Sequence, residues 1–125
     1  MKRRDSLREA MKLQRAAARQ GFDWNKTAPL WAKLQEEIAE LSAAARDPRR
    51  AEEELGDLLF MVVNFARHLG LDPNRALRGA SRKFKRRYGY ILQHADSLPP
   101  LGHPRRLAAM EKLWQQAKRL DLRVE

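Results

Sequence analysis

Two Asp-Pro steps, Asp47-Pro48 and Asp72-Pro73, constrain this chain more than any other feature. An aspartate that caps and a proline at the first helical position together form a helix start signal. The first step predicts a helix running to about His68, which Gly70 then stops, and the second predicts one running to about Asp96. Upstream, residues 5–19 have helical spacing, with Leu7, Met11 and Leu13 among the apolar positions and Gly21 as the stop. The loop "GFDWNKTAP" holds three helix-start devices, Asp23, Asn25 and Thr27, ahead of a helix from about 28 to 45. Beyond the loop "SLPPLGHP", residues 105–120 are consistent with a fifth helix. No segment alternates as a strand would. The expectation is an all-α chain, a single domain over residues 1–125, built as an antiparallel helical bundle with short connections.

The third helix is apolar almost all round, because Phe60, Met61, Val63 and Phe65 join Leu58, Val62 and Leu69. A helix of that kind is buried on several sides. One 125-residue chain offers limited cover, so a homodimer is expected to complete the bundle.

Composition removes several classes. No apolar run approaches the roughly 20 residues needed to cross a bilayer, so no membrane role is expected. The basic start "MKRRDSLREAMKLQR" lacks the apolar region of a secretory signal. With no cysteine, disulfides and thiolate metal sites are excluded, and a cytoplasmic protein is expected. The formal charge of +10, from 26 Lys+Arg against 16 Asp+Glu, favours a polyanionic partner such as nucleic acid or a nucleotide.

Acidic residues choose between them. "LQEEIAEL" and "AEEELGDL" share the pattern E-[I/L]-x-[E/D]-L. With Glu37 at the origin of a helical wheel, Leu34, Ile38 and Leu41 fall at about 60°, 100° and 40°, and Glu40 at about 300°. With Glu54 at the origin, Leu58, Val62 and Leu69 fall at about 40°, 80° and 60°, and Asp57 again at about 300°. Both helices thus carry an acidic pair on the shoulder of an apolar stripe. Packed together, they would gather Glu37, Glu40, Glu54 and Asp57 into one groove. Four ionised carboxylates that close repel, and a hard divalent cation, Mg²⁺ or Mn²⁺, resolves the repulsion. The plainer reading is that glutamate forms helices well and suits a helix N-terminus, which would account for Glu52, Glu53 and even Glu54. DNA-backbone binding by a basic helical protein, the competing class, gains nothing from clustered carboxylates.

The densest basic run is "SRKFKRRYGY", where Leu77, Phe84, Tyr88 and Ile91 form the apolar stripe. Lys83 and Arg87 are one turn apart beside it, placed to share a phosphate, whereas Arg82, Lys85 and Arg86 read as a solvated face. In "EKLWQQAKR", Trp114 and Lys118 at i, i+4 combine an aromatic face with a cation, as do many packed anchors. His68, His94 and His103 have no metal-ligand spacing.

The segments "KLQEEIAEL", "EEELGDLLFMVVNFARHLGLDPNRAL", "RKFKRRY" and "EKLWQQAKR" together resemble the MazG nucleoside triphosphate pyrophosphohydrolases over roughly residues 20 to 118. The family motif EExxE, a spacer, then ExxD is matched by Glu36-Glu37-x-x-Glu40 and Glu54-x-x-Asp57. The resemblance implies Mg²⁺ ligands at Glu37, Glu40, Glu54 and Asp57, phosphate contacts at Lys83 and Arg87, and nucleotide contacts at Lys33, Trp114 and Lys118. Arg50 stands where relatives often have lysine, which keeps the charge and changes the geometry. The implied reaction is NTP + H₂O → NMP + PPi, catalysed by an all-α dimer. A narrow-specificity dUTPase-like or dCTPase-like member of the same superfamily is the nearest alternative, with the pocket around Phe22, Trp24 and Trp114 deciding.

Overall fold

The computed structural model describes residues 4–124, with side chains described as far as Asp121. In order, the elements are α1 (Ser6–Arg19), α2 (Ala28–Ala44), α3 (Pro48–His68), α4 (Pro73–Gln93), a 3₁₀ turn (Ala95–Ser97) and α5 (Arg106–Val124). All-helical architecture is therefore established, with no strand among the described residues. None of the described helices is long and apolar enough to cross a membrane.

The punctuation works as the sequence implies. Asp47 accepts from the N–H groups of Arg49 and Arg50 at 3.2 and 3.5 Å, with Pro48 in the first turn. Asp72 accepts from those of Asn74 and Arg75 at 2.9 and 3.4 Å. Gly21 and Gly70 adopt φ of +87° and +70°. Each closes its helix with two reversed bonds: Phe22 to the Ala17 carbonyl with Gly21 to Ala18, and Leu71 to Ala66 with Gly70 to Arg67. Only glycine takes that left-handed conformation without strain.

Thr27 is the residue that precedes α2, and its side chain makes no capping bond. Asp23, expected among the start devices, is engaged elsewhere: its carboxylate binds Arg67 at 2.6 and 2.8 Å. A bidentate charge-assisted pair outweighs one capping bond.

The chain divides into two compact units, Met1–Ala76 and Leu77–Glu125. In the first, α2 and α3 form an antiparallel hairpin whose core is Leu30, Met61 and Phe65, with Leu34 packed against it. Trp31 adds a ring contact to Phe65 at 4.3 Å between centroids. The Gln14 side chain joins α1 to α3 by donating to the Phe60 carbonyl at 2.9 Å.

Here the buried face differs from the expected stripe. On α2 the buried line is Leu30, Glu37 and Ala44, seven residues apart, while Ile38 is 50% exposed. On α3, Met61, Val63, Asn64 and Phe65 are buried, while Val62 is 46% exposed and Leu69, just past the helix, 54%. Both helices carry two apolar strips, one turned toward the other helix and one turned outward, and a wheel read from one chain averages them. Glu37 consequently sits within the packed face, whereas Glu40 and Glu54 are half-buried and Asp57 is exposed. In the second unit, Ile91, Leu113 and Ala117 are buried. Leu77 and Phe84, expected in the α4 stripe, are mostly exposed.

Candidate active site

Glu37 and Lys33 come from the inner face of α2, and Glu54 and Asp57 from the first half of α3. Antiparallel pairing brings those stretches side by side. One carboxylate oxygen each from Glu37, Glu54 and Asp57 lies within 4.8 Å of the others. Burial falls across the trio: Glu37 is 7% exposed, Glu54 half-buried and Asp57 exposed. Oε2 of Glu37 and Oε2 of Glu54 are buried and have no hydrogen-bond partner. A buried carboxylate oxygen left without a donor costs more than most folds tolerate. Three oxygen donors at this spacing, two of them with unpartnered atoms, suit a hard divalent cation.

Lys33 approaches Oε1 of Glu37 at 3.5 Å and Glu36 at 3.4 Å. The hydrogen bond to Glu36, chiefly, raises its pKa above the ordinary lysine value, so it stays charged. One cation at the end of a flexible stem does not satisfy the oxygens on the far side of Glu37 and Glu54. Glu40, the fourth expected member, is half-buried one turn further along α2 and is not part of the trio. Arg50 is exposed in the first turn of α3.

Beyond Asp57 on α3 lies a cavity of about 460 Å³, lined by Leu13, Gln14, Phe22, Trp24, Phe60, Asn64 and neighbouring residues. Its polar wall is internally bonded. The Arg67 guanidinium donates to Asp23, to Asn64 Oδ1 at 3.1 Å and to Gln14 Oε1 at 3.5 Å. The Arg67 hydrogen bond, first of all, holds the Asp23 carboxyl far below the usual carboxylate range, with a smaller contribution from His68 at 3.0 Å. No sequence motif marks Gln14, Asn64 or Arg67, and His68 has no metal-ligand spacing. The available signal is the polar interruption "NFARH" directly after the apolar run "LLFMVV".

The remaining expected residues belong to the second unit. Lys83 and Lys118 are exposed, and Trp114 is half-buried. The Arg87 guanidinium lies over the Trp114 ring, 5.4 Å from its centroid, and Phe84 meets the same ring at 5.6 Å. Arg87 Nε donates to Asp121 at 2.8 Å, a partner that sequence reading missed because it lies 34 residues away.

Comparison with known proteins places the chain in a family. Residues 25–91 match the model of the MazG nucleotide pyrophosphohydrolase domain. A nucleoside triphosphate pyrophosphohydrolase of Escherichia coli K12 is 42% identical over 123 residues, covering 94% of this chain and 46% of that protein. The nucleoside triphosphate pyrophosphohydrolase/pyrophosphatase MazG of Thermotoga maritima is 40% identical over 115 residues, 90% of this chain and 44% of its own length. The chain spans about half the length of these curated relatives. A family match over more than half the chain, with both acidic motifs inside it, establishes that the chain belongs to the MazG family.

Proposed function

We propose that the chain is a nucleoside triphosphate pyrophosphohydrolase that converts an NTP or dNTP to the monophosphate and pyrophosphate with Mg²⁺ or Mn²⁺. The observation that carries this reading is the carboxylate trio with its two unpartnered buried oxygens. Glu37, Glu54 and Asp57 would hold the ion, with Glu40 as a fourth ligand or as the group that receives the proton of the attacking water. Bound there, a divalent cation lowers the pKa of water and neutralises phosphate charge. Lys83 and Arg87 take up charge developing on the departing pyrophosphate. Lys33 and Arg50 add positive charge beside the carboxylates, and Trp114 and Lys118 hold the nucleotide.

The cavity follows Asp57 along the same side of α3. Asp57, Asn64 and Phe60 fall at about 300°, 280° and 240° on the wheel that starts at Glu54, and Asn64 lies roughly 10 Å beyond Asp57 along the axis. A base stacked among Phe22, Trp24 and Phe60 would keep its α-phosphate near the carboxylates. The whole chain acts as one MazG-like domain, and a homodimer completes its bundle.

A pyrophosphate-release screen over the eight common NTPs and dNTPs with Mg²⁺ tests the reading. Broad turnover is expected. Turnover of one or two pyrimidine substrates would favour the dUTPase-like or dCTPase-like alternative. Diphosphate plus orthophosphate as products would overturn attack at the α-phosphorus, and no turnover beside tight DNA binding would favour the nucleic-acid class.

A further inference from the structure

Two adjacent arginines of α4 converge on one carboxylate of α5. Asp121 Oδ1 accepts from Arg86 Nε at 2.8 Å. Oδ2 accepts from the Arg86 terminal NH2 at 3.0 Å and from Arg87 Nε at 2.8 Å. The two guanidinium groups are held differently. Arg86 is 57% exposed at its side chain and grips both oxygens, a sufficient clip between helices by itself. Arg87 is only 12% exposed, touches Asp121 through Nε alone, and has one face over Trp114.

That use of Nε has a chemical consequence. A guanidinium has five N–H donors in a fixed plane, and phosphate is gripped best through two of them at once. Asp121 takes the Nε donor and Trp114 takes one face, so rotation of the group is restricted from two sides. Among the described residues no protein acceptor takes up the terminal NH1 and NH2 of Arg87. Those two nitrogens form the edge suited to a phosphate with two oxygens presented.

We infer that Asp121 is a positioning residue: it orients Arg87 so that its NH1/NH2 edge meets the pyrophosphate portion of the nucleotide. The inference rests on the reading that Arg87 binds phosphate. It runs against the simplest electrostatic expectation, since a carboxylate beside an anion site repels the anion. Coulomb repulsion alone would make Asp121→Asn bind pyrophosphate more tightly, and only orientation makes it bind more weakly. Arg86 already pairs with both oxygens of Asp121 and offsets much of that repulsion, so orientation prevails.

The test is calorimetric titration of inorganic pyrophosphate, with Mg²⁺, into the full chain and four variants: Asp121→Asn, Asp121→Glu, Arg87→Ala and the double variant Asp121→Asn/Arg87→Ala. Asp121→Asn should weaken binding about tenfold, and in the Arg87→Ala background it should have no further effect. Asp121→Glu, which keeps two carboxylate acceptors where asparagine offers one amide oxygen to two guanidinium groups, should recover most of the loss. Unchanged or tighter binding by Asp121→Asn, with Arg87→Ala still damaging, would overturn the inference and leave Arg87 as a phosphate ligand. An equal loss in both backgrounds would mean that Asp121 acts on the fold and not through Arg87, which also overturns it. No effect of Arg87→Ala would remove the phosphate reading of Arg87 and the inference with it.

Discussion

At the scale of single residues, burial sorts the carboxylates. Glu54→Gln and Asp57→Asn should lose metal-dependent turnover by a large factor, on the order of 100-fold or more, as removal of a charged ligand does. Glu53→Gln should lose little, because Glu53 is exposed and sits about 100° from Glu54 on the helix. Steady-state kinetics of the three variants decide this, and equal losses at Glu53 and Glu54 would contradict the trio. Asp23 sets a different dependence, on acid. Its folded pKa is depressed by Arg67, so its contribution is present above the unfolded value of about 4 and is lost as pH falls below it. Asp23→Asn should therefore destabilise the fold more at about pH 6 than at about pH 2.5, as urea melts at both pH values would show. How much of this was legible follows from distance in sequence. Glu37, Glu54 and Asp57 announce themselves because i, i+3 spacing is local. Asp23 with Arg67, and Arg87 with Asp121, join residues 44 and 34 apart, and no local pattern records them.

For whole elements, boundaries were readable to within a few residues because caps and stops are local chemistry. Asp47, Pro48, Gly21 and Gly70 each do what their types dictate. Asp47→Ala should accordingly cost about 1 kcal/mol, read as a shift in denaturation midpoint, by removing the acceptor at the start of α3. The packed face was less legible. Leu30, completely buried between α2 and α3, lies in the first turns of α2 outside the duplicated motif, so nothing local marks it as the centre of a core. Leu30→Ala should cost about 3 kcal/mol, several times the loss of the Asp47 cap. A cost under about 1 kcal/mol in the same melts would mean that α2 and α3 do not form the core described.

Across the whole first unit, the outward apolar strips combine. Trp31 and Ile38 of α2, Leu55, Leu59 and Val62 of α3, and Leu69 just past its end are all substantially exposed. On their respective wheels they fall between about 60° and 140° from Glu37 and Glu54. In an antiparallel hairpin the same angular offset points both helices to the same side, so the six residues make one continuous face. Glu40 and Asp57, at about 300°, point to the other side. An apolar face of that extent is what supports the proposed homodimer, in which a second copy would pair like surface with like about a two-fold axis. Light scattering at micromolar concentration should give twice the mass of 14.6 kDa. The double variant Ile38→Glu/Leu59→Glu should give the monomer, because two charges would enter the centre of that face. Since the carboxylate trio is built from two helices of one chain, the monomeric variant should still be stabilised by Mg²⁺, by up to about 2.7 kcal/mol at a hundred times the dissociation constant. Melting curves of wild type and variant, each with EDTA and with Mg²⁺, separate the two claims. A wild-type monomer would remove the dimer, and a wild-type melting temperature unmoved by Mg²⁺ would remove the preorganised metal site.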